Sequence, residues 1–185
     1  VVKLHLGSGS RYIPGYINVD IRPESKADVI SSIENYLAAC ESGSVDVIYM
    51  CHVLEHYKKI ESQIILNKCW RVLKKGGVLR LSVPDFKAIA EYYIINVFPM
   101  ENNSNIDILS GLTFGGHKND YDYHFQAFDY QKLGNMLNDA GFNQLTLWNW
   151  RNIEHGSIDD YSQAYLPHMD KVNGQLMSLN LEAIK

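Results

Sequence analysis

The stretch Leu4-His5-Leu6-Gly7-Ser8-Gly9, followed by Tyr16-Ile17-Asn18-Val19-Asp20, decides the fold. A short apolar strand runs into two glycines, and a second strand ends in an acid. Glycines there let the backbone pass close to a ligand with no Cβ in the way. An acid at the end of the second strand can accept hydrogen bonds from both hydroxyls of a ribose. Together they predict a nucleoside-binding crevice at the carboxyl edge of a parallel sheet.

Working outward, apolar strands alternate with helical patterns, which predicts an α/β fold with a largely parallel sheet. Predicted strands span Val1 to Leu6, Tyr16 to Asp20, Ala27 to Ile30, Val45 to Met50, Val78 to Val83, Gln144 to Trp150 and Gln175 to Ile184. Helices are predicted over Ile33 to Cys40, Leu54 to Leu73, Phe86 to Phe98 and Asp129 to Ala140. Ile60, Ile64, Ile65, Cys69, Val72 and Leu73 fall at helical spacing. Lys74-Lys75 and Gly76-Gly77 read as the basic last turn and glycine stop of that helix. Pro99 to Ser104 is predicted as a polar turn, and 111–128 as a loop rich in Gly, His, Asp and Tyr. Residues 151–174 form a long polar connection, a length that is usually functional or disordered.

The 185 residues suit one domain, 1–185, and bury enough surface to need no disulfide staples. With 17 Lys+Arg against 21 Asp+Glu, the net charge of −4 argues against a nucleic-acid partner. No apolar run approaches the ~20 residues that cross a bilayer. Cys40, Cys51 and Cys69 are widely spaced, with no CxxC pair, which predicts free thiols and a cytoplasmic setting.

Two cofactors compete for the glycine loop. A dinucleotide site wants a third glycine at GxGxxG, but position 12 is Tyr. Asp20 lies only eleven residues after Gly9, against ~20 for a dinucleotide fingerprint. Ser10 to Gly15 leaves no room for a full crossover helix to meet a pyrophosphate. A nicotinamide-dependent oxidoreductase is therefore the weaker reading.

Beyond these residues the chain resembles a known family. Leu4 to Gly9, Gly15 to Asp20, Val45-Asp46-Val47-Ile48-Tyr49-Met50-Cys51-His52-Val53-Leu54-Glu55-His56, and Arg71-Val72-Leu73-Lys74-Lys75-Gly76-Gly77 look like successive motifs of class I S-adenosylmethionine (SAM) dependent methyltransferases. The likeness is closest to the type 11-like small-molecule enzymes with an HVLEH segment. It continues through His124-Phe125-x-x-Phe128-Asp129 and Leu137-x-x-Ala140-Gly141-Phe142. The resemblance implies a Rossmann-like sheet of strand order 3-2-1-4-5-7-6, with the last strand antiparallel and helices on both faces. It implies SAM as cofactor and S-adenosylhomocysteine as product. It assigns Gly7 and Gly9 to the methionine part of SAM, Asp20 to the ribose, Ser32 and Ile33 to the adenine, and Cys51 and His52 to the neighbourhood of the methionine and the methyl, with Ser8 and Ile21 as further cofactor contacts. Family members often carry an acid at the position of His5 and an Asp at that of Ser32. Those departures, with the short crossover, keep open a non-catalytic SAM-binding or partner-binding module. Members often have a helix before the first strand; the chain does not begin with Met, and such a helix is expected to be missing.

Methyl transfer needs alignment of donor and acceptor, and a proton acceptor when a hydroxyl or ammonium is methylated. Histidine suits that task, with an unperturbed pKa near 6.5. His124 and His52 are the candidate catalytic residues. His117, Tyr121, Tyr165 and His168 are candidate contacts to a small polar acceptor, O- or N-methylated. His52 and His56 are four apart and predicted to share a helix face. HExxH is absent, and no metal is expected. Trp148 and Trp150 read as core or interface. The sequence does not fix the oligomeric state.

Overall fold

The structure, a computed structural model, describes residues 1–97 and 106–185. The predicted turn Pro99 to Ser104 lies outside them, as does Phe98. Seven strands form the main sheet: β1 (Lys3–Leu6), β2 (Ile17–Asp20), β3 (Val29–Ile30), β4 (Val45–Cys51), β5 (Leu73–Pro84), β6 (Gln144–Leu147) and β9 (Ser178–Ile184). Their order is β3-β2-β1-β4-β5-β9-β6. The first five pair in parallel, and β9 runs antiparallel between β5 and β6. That is the expected topology.

Side chains alternate across the sheet, so each strand feeds two layers. On one face, Leu4, Leu6, Ile48, Met50, Leu79 and Leu81 are fully buried. They pack with residues of α1 (Ile33–Ala39), α2 (Lys59–Val72) and α5 (Tyr130–Asp139). On the other face, Val47, Tyr49 and Cys51 meet Ile13, Tyr16, Trp148 and Ile158. Burying a Leu or Ile side chain fully contributes about 1.5–3 kcal/mol, so the first layer dominates stability. α3 (Phe86–Tyr92) and α4 (Ile106–Phe114) form a smaller cluster with Leu166 and Met177.

The ends of the predicted elements shift for local reasons. The expected helix from Leu54 breaks after one 3₁₀ turn, Leu54–His56. Tyr57 and Lys58 are extended, and α2 restarts where Glu61 accepts from the Lys58 N–H at 2.9 Å. The basic pair Lys74-Lys75 is strand, not the last turn of a helix. Leu73 is already extended, fully buried and paired with Val45. α3 continues as a π turn, Tyr93–Val97, and α4 reaches into the expected 111–128 loop as far as Phe114.

The predicted last strand splits. Gln175–Leu176 (β8) pairs with Tyr165–Leu166 (β7), and Met177 separates it from β9. β5 ends at Pro84, opposite Ser178, and Asp85 starts α3 as its N-cap. Residues before Ser178 have no sheet neighbour, so they take a local one. Strand β6 also ends early, at Leu147. The Trp148 indole donates to the Leu81 carbonyl at 2.9 Å, and Trp150 begins a 3₁₀ turn.

Candidate functional site

β1 ends at the carboxyl edge in Gly7-Ser8-Gly9. Gly7 has φ +70° and Gly9 φ +54°, a region that costs other residues about 1–2 kcal/mol. A Cβ on Gly7 would stand 2.5 Å from Val53 Cγ2. The loop is anchored from below. His5 donates from Nδ1 to Asn18 Oδ1 at 3.0 Å, while Asn18 donates to the carbonyls of Ile13 and Tyr16. Burial lowers the His5 pKa, which leaves it a neutral structural group. No helix forms between β1 and β2, so no helix N-terminus meets a pyrophosphate there.

A cavity of about 390 Å³ opens over this loop. Gly7, Ser8, Gly9, Asp20, Ile21, Cys51 and His52 line it, and so does Tyr121, which the sequence reading places with the acceptor. The buried Ser8 Oγ has no partner among the described residues. A glycine cradle that a Cβ would fill, an orphaned hydroxyl and an acid at the strand end fit the methionine and ribose parts of SAM. Ser32 and Ile33 do not line the cavity. The Ser32 hydroxyl caps α1 by accepting from the Asn35 N–H at 3.3 Å, and Ile33 is buried in the core.

A second cavity of about 330 Å³ adjoins the first. His124, Tyr165 and His168 line it. His52, His56, Lys118, Asp122 and Tyr161 line both cavities and form their common wall. His117 lines neither; it stacks on Tyr123, ring centroids 4.3 Å apart.

His52 directly follows β4 with φ +52°, a strained conformation for a residue with a Cβ. It is not on a helix face with His56. Ser178 Oγ donates to the Tyr161 carbonyl at 2.6 Å, so it accepts from His52 Nε2 at 2.9 Å. That fixes the proton on Nε2 and leaves the Nδ1 lone pair 3.4 Å from Glu55 Oε1. Burial pushes the His52 pKa down to about 3 and the Glu55 pKa up to about 8. Both are therefore mainly neutral at pH 7, and their proximity is not an ion pair. The Tyr161 ring stacks on His52, centroids 5.1 Å apart.

His56 and His124 face each other edge to face at 4.7 Å. His56 Nδ1 donates to the Tyr123 carbonyl, and His124 Nδ1 to the Leu112 carbonyl, each at 3.1 Å. Both rings therefore keep a lone pair on Nε2. Burial and the neighbouring His56 lower the His124 pKa to about 4, and burial lowers that of His56.

Sequence reasoning missed Arg22, Glu55, Asp160 and Tyr161. Arg22 follows the second-strand acid by two residues and bonds back to it, Nε to Asp20 Oδ1 at 3.0 Å. Asp160 accepts from Tyr49 at 2.6 Å and from the Ser162 N–H at 2.9 Å, which pins the connection over the sheet. Its Asp-x-Ser pattern before a turn was the available signal.

The family model described as methyltransferase domain matches residues 10–81. No curated protein matches the chain. Among solved structures, a SAM-dependent methyltransferase from Archaeoglobus fulgidus is similar at 16% identity and TM-score 0.60, covering 99% of this chain and 85% of that one. One from Methanosarcina mazei gives 16% and 0.56, covering 98% and 91%. The 1,6-didemethyltoxoflavin-N1-methyltransferase of Burkholderia thailandensis, solved with bound 1,6-didemethyltoxoflavin and S-adenosylhomocysteine, gives 14% and 0.56, covering 100% and 70%. At such identities these likenesses speak for the fold; the sequence match speaks for the methyltransferase domain.

Proposed function

We propose that the chain is a class I SAM-dependent methyltransferase that moves the methyl group to the oxygen or nitrogen of a small polar acceptor; the sequence match over residues 10–81 and the fold support this. One observation carries the reading: two cavities share the wall built by His52, His56 and Tyr161. The first suits the donor and the second the acceptor. SAM supplies a methyl group on a sulfonium, activated for in-line displacement.

Gly7, Ser8, Gly9 and Cys51 hold the methionine side, and Asp20 the ribose. Tyr165, His168 and Lys118 contact the acceptor. The acceptor lone pair forms the bond to the methyl carbon, and the C–S pair stays on sulfur. The acceptor proton passes to His124 Nε2, held in place by the Leu112 carbonyl. His52 orients rather than titrates, because its Nε2 proton is already given to Ser178. The reading takes 1–185 as one domain. Among the described residues no helix is long and apolar enough to cross a membrane. The free thiols fit a cytoplasmic enzyme.

The test is incubation with methyl-labelled SAM and pools of sugars, amines and hydroxy acids, following S-adenosylhomocysteine release. Label transfer that depends on an added metabolite supports the reading; cofactor binding with no transfer to any pool contradicts it. That second outcome is what a non-catalytic SAM-binding module predicts, and Arg22 lying across the glycine loop is the observation in its favour.

A further inference from the structure

We infer that Glu55, His56 and His124 form a binding site for a divalent transition-metal ion at the wall between the two cavities. The ligand atoms of these three residues lie within 4.8 Å of one another. Metal bonds near 2.1 Å put tetrahedral ligands about 3.4 Å apart, so small side-chain rotations close the site.

Two independent observations point to a ligand. The first is Glu55: it is 0% exposed, and both carboxyl oxygens are buried with no hydrogen-bond partner among the described residues. Even held neutral, a buried carboxyl with no partner is costly, and an ion that displaces its proton supplies that partner. The second is the way the two imidazoles are held. Each donates its Nδ1 proton to a backbone carbonyl, Tyr123 for His56 and Leu112 for His124. That is how a protein orients metal-ligating histidines, with Nε2 turned to the ion. The pair comes from two distant segments, the end of the HVLEH run and the loop before Phe128. Their rings nevertheless meet at 4.7 Å.

Two imidazoles and one carboxylate select a borderline divalent ion such as Zn²⁺ over Mg²⁺ or Ca²⁺, which prefer all-oxygen sites. Three protein ligands leave a coordination position open. His56 and His124 both line the second cavity, so that position faces it. There an ion would bind the acceptor oxygen and lower its pKa; with His124 Nε2 held on the ion, the acceptor proton would leave to water instead of to His124. This part rests on the acceptor reading of the second cavity; metal binding itself does not.

The test titrates Zn²⁺ into chelator-stripped protein by calorimetry, with no SAM present. One ion per chain is expected. Glu55→Gln and His124→Ala should each weaken it at least ~100-fold, beyond the roughly 10–100-fold that loss of an orienting partner costs. Cys40→Ser should leave it unchanged, which separates the site from adventitious thiol binding. Co²⁺ in its place should show visible bands without thiolate charge transfer. No uptake of Zn²⁺, or uptake unaffected in both variants, overturns the site. Because Glu55→Gln alters the interior, His124→Ala, on a part-buried loop, keeps the test decisive. S-adenosylhomocysteine binding by the stripped protein is read in parallel, so a failed metal site is told apart from a failed transferase.

Discussion

The Nε of Arg22 stands 3.0 Å from Oδ1 of Asp20, and its guanidinium lies over the backbone of Gly9. Asp20 also accepts from the N–H groups of Gly9 and Arg22, at 2.6 and 2.9 Å. A carboxylate offers about four lone-pair sites, so three are already taken. Two ribose hydroxyls need Arg22 to turn away.

Arg22→Ala should therefore tighten S-adenosylhomocysteine, by up to about fivefold, the equivalent of the ~0.2–1 kcal/mol of a part-exposed ion pair. Calorimetry reads it directly. Weaker binding in the variant would make Arg22 a contact to the cofactor instead of a competitor.

Gly7→Ala forces a Cβ into φ +70° and to within 2.5 Å of Val53. The backbone cost alone is about 1–2 kcal/mol, which lowers the melting temperature by roughly 2–8 °C. Cofactor affinity should fall as well, since Val53 lines the crevice. A melting curve and affinity like the parent's would show that the loop is not tightly seated.

Tyr161 covers His52 at the common wall. Tyr161→Ala should lower kcat/KM about 2–10-fold, in line with the ~0.5–1.5 kcal/mol of an aromatic pair, and Tyr161→Phe should not. Equal losses in both would shift the role from the ring to the hydroxyl.

His155 gives the stability a pH dependence. It is 4% exposed, packs on Tyr49 and Tyr16, and neither ring nitrogen has a hydrogen-bond partner among the described residues. Burial lowers its pKa from 6.5 to about 4. The folded state holds it neutral while the unfolded chain takes up the proton, so its contribution is complete above pH 6.5 and lost progressively as the pH falls toward 4. Urea midpoints at about pH 7.5 and about pH 4.5 should differ less for His155→Phe than for the parent. An unchanged difference would remove His155 from the acid response.

The parallel core was legible because its code is local: alternating apolar strands, glycines at turns, an acid at a strand end. Pro84-Asp85 closing β5 and Asp129 capping α5 read directly from residue type. What was not legible depends on tertiary partners. Leu73 goes to strand, against a helical pattern, because it is buried beside Val45. Ser32 goes to a helix cap and does not line the crevice. His52 and His56 look like a helix pair at their spacing, but a positive φ at His52 ends β4 and sends them apart. His56 finds its neighbour in His124, a contact between segments that no spacing rule connects.

The central claim is that the glycine loop and Asp20 bind SAM. Titration calorimetry with S-adenosylhomocysteine on the parent chain and on Asp20→Ala tests it most directly. The account predicts one site of micromolar affinity in the parent, weakened roughly 10–100-fold in the variant, as the loss of ~1.5–3 kcal/mol of charge-assisted hydrogen bonding requires. No heat at high ligand concentration, or equal affinity in the two proteins, would contradict it.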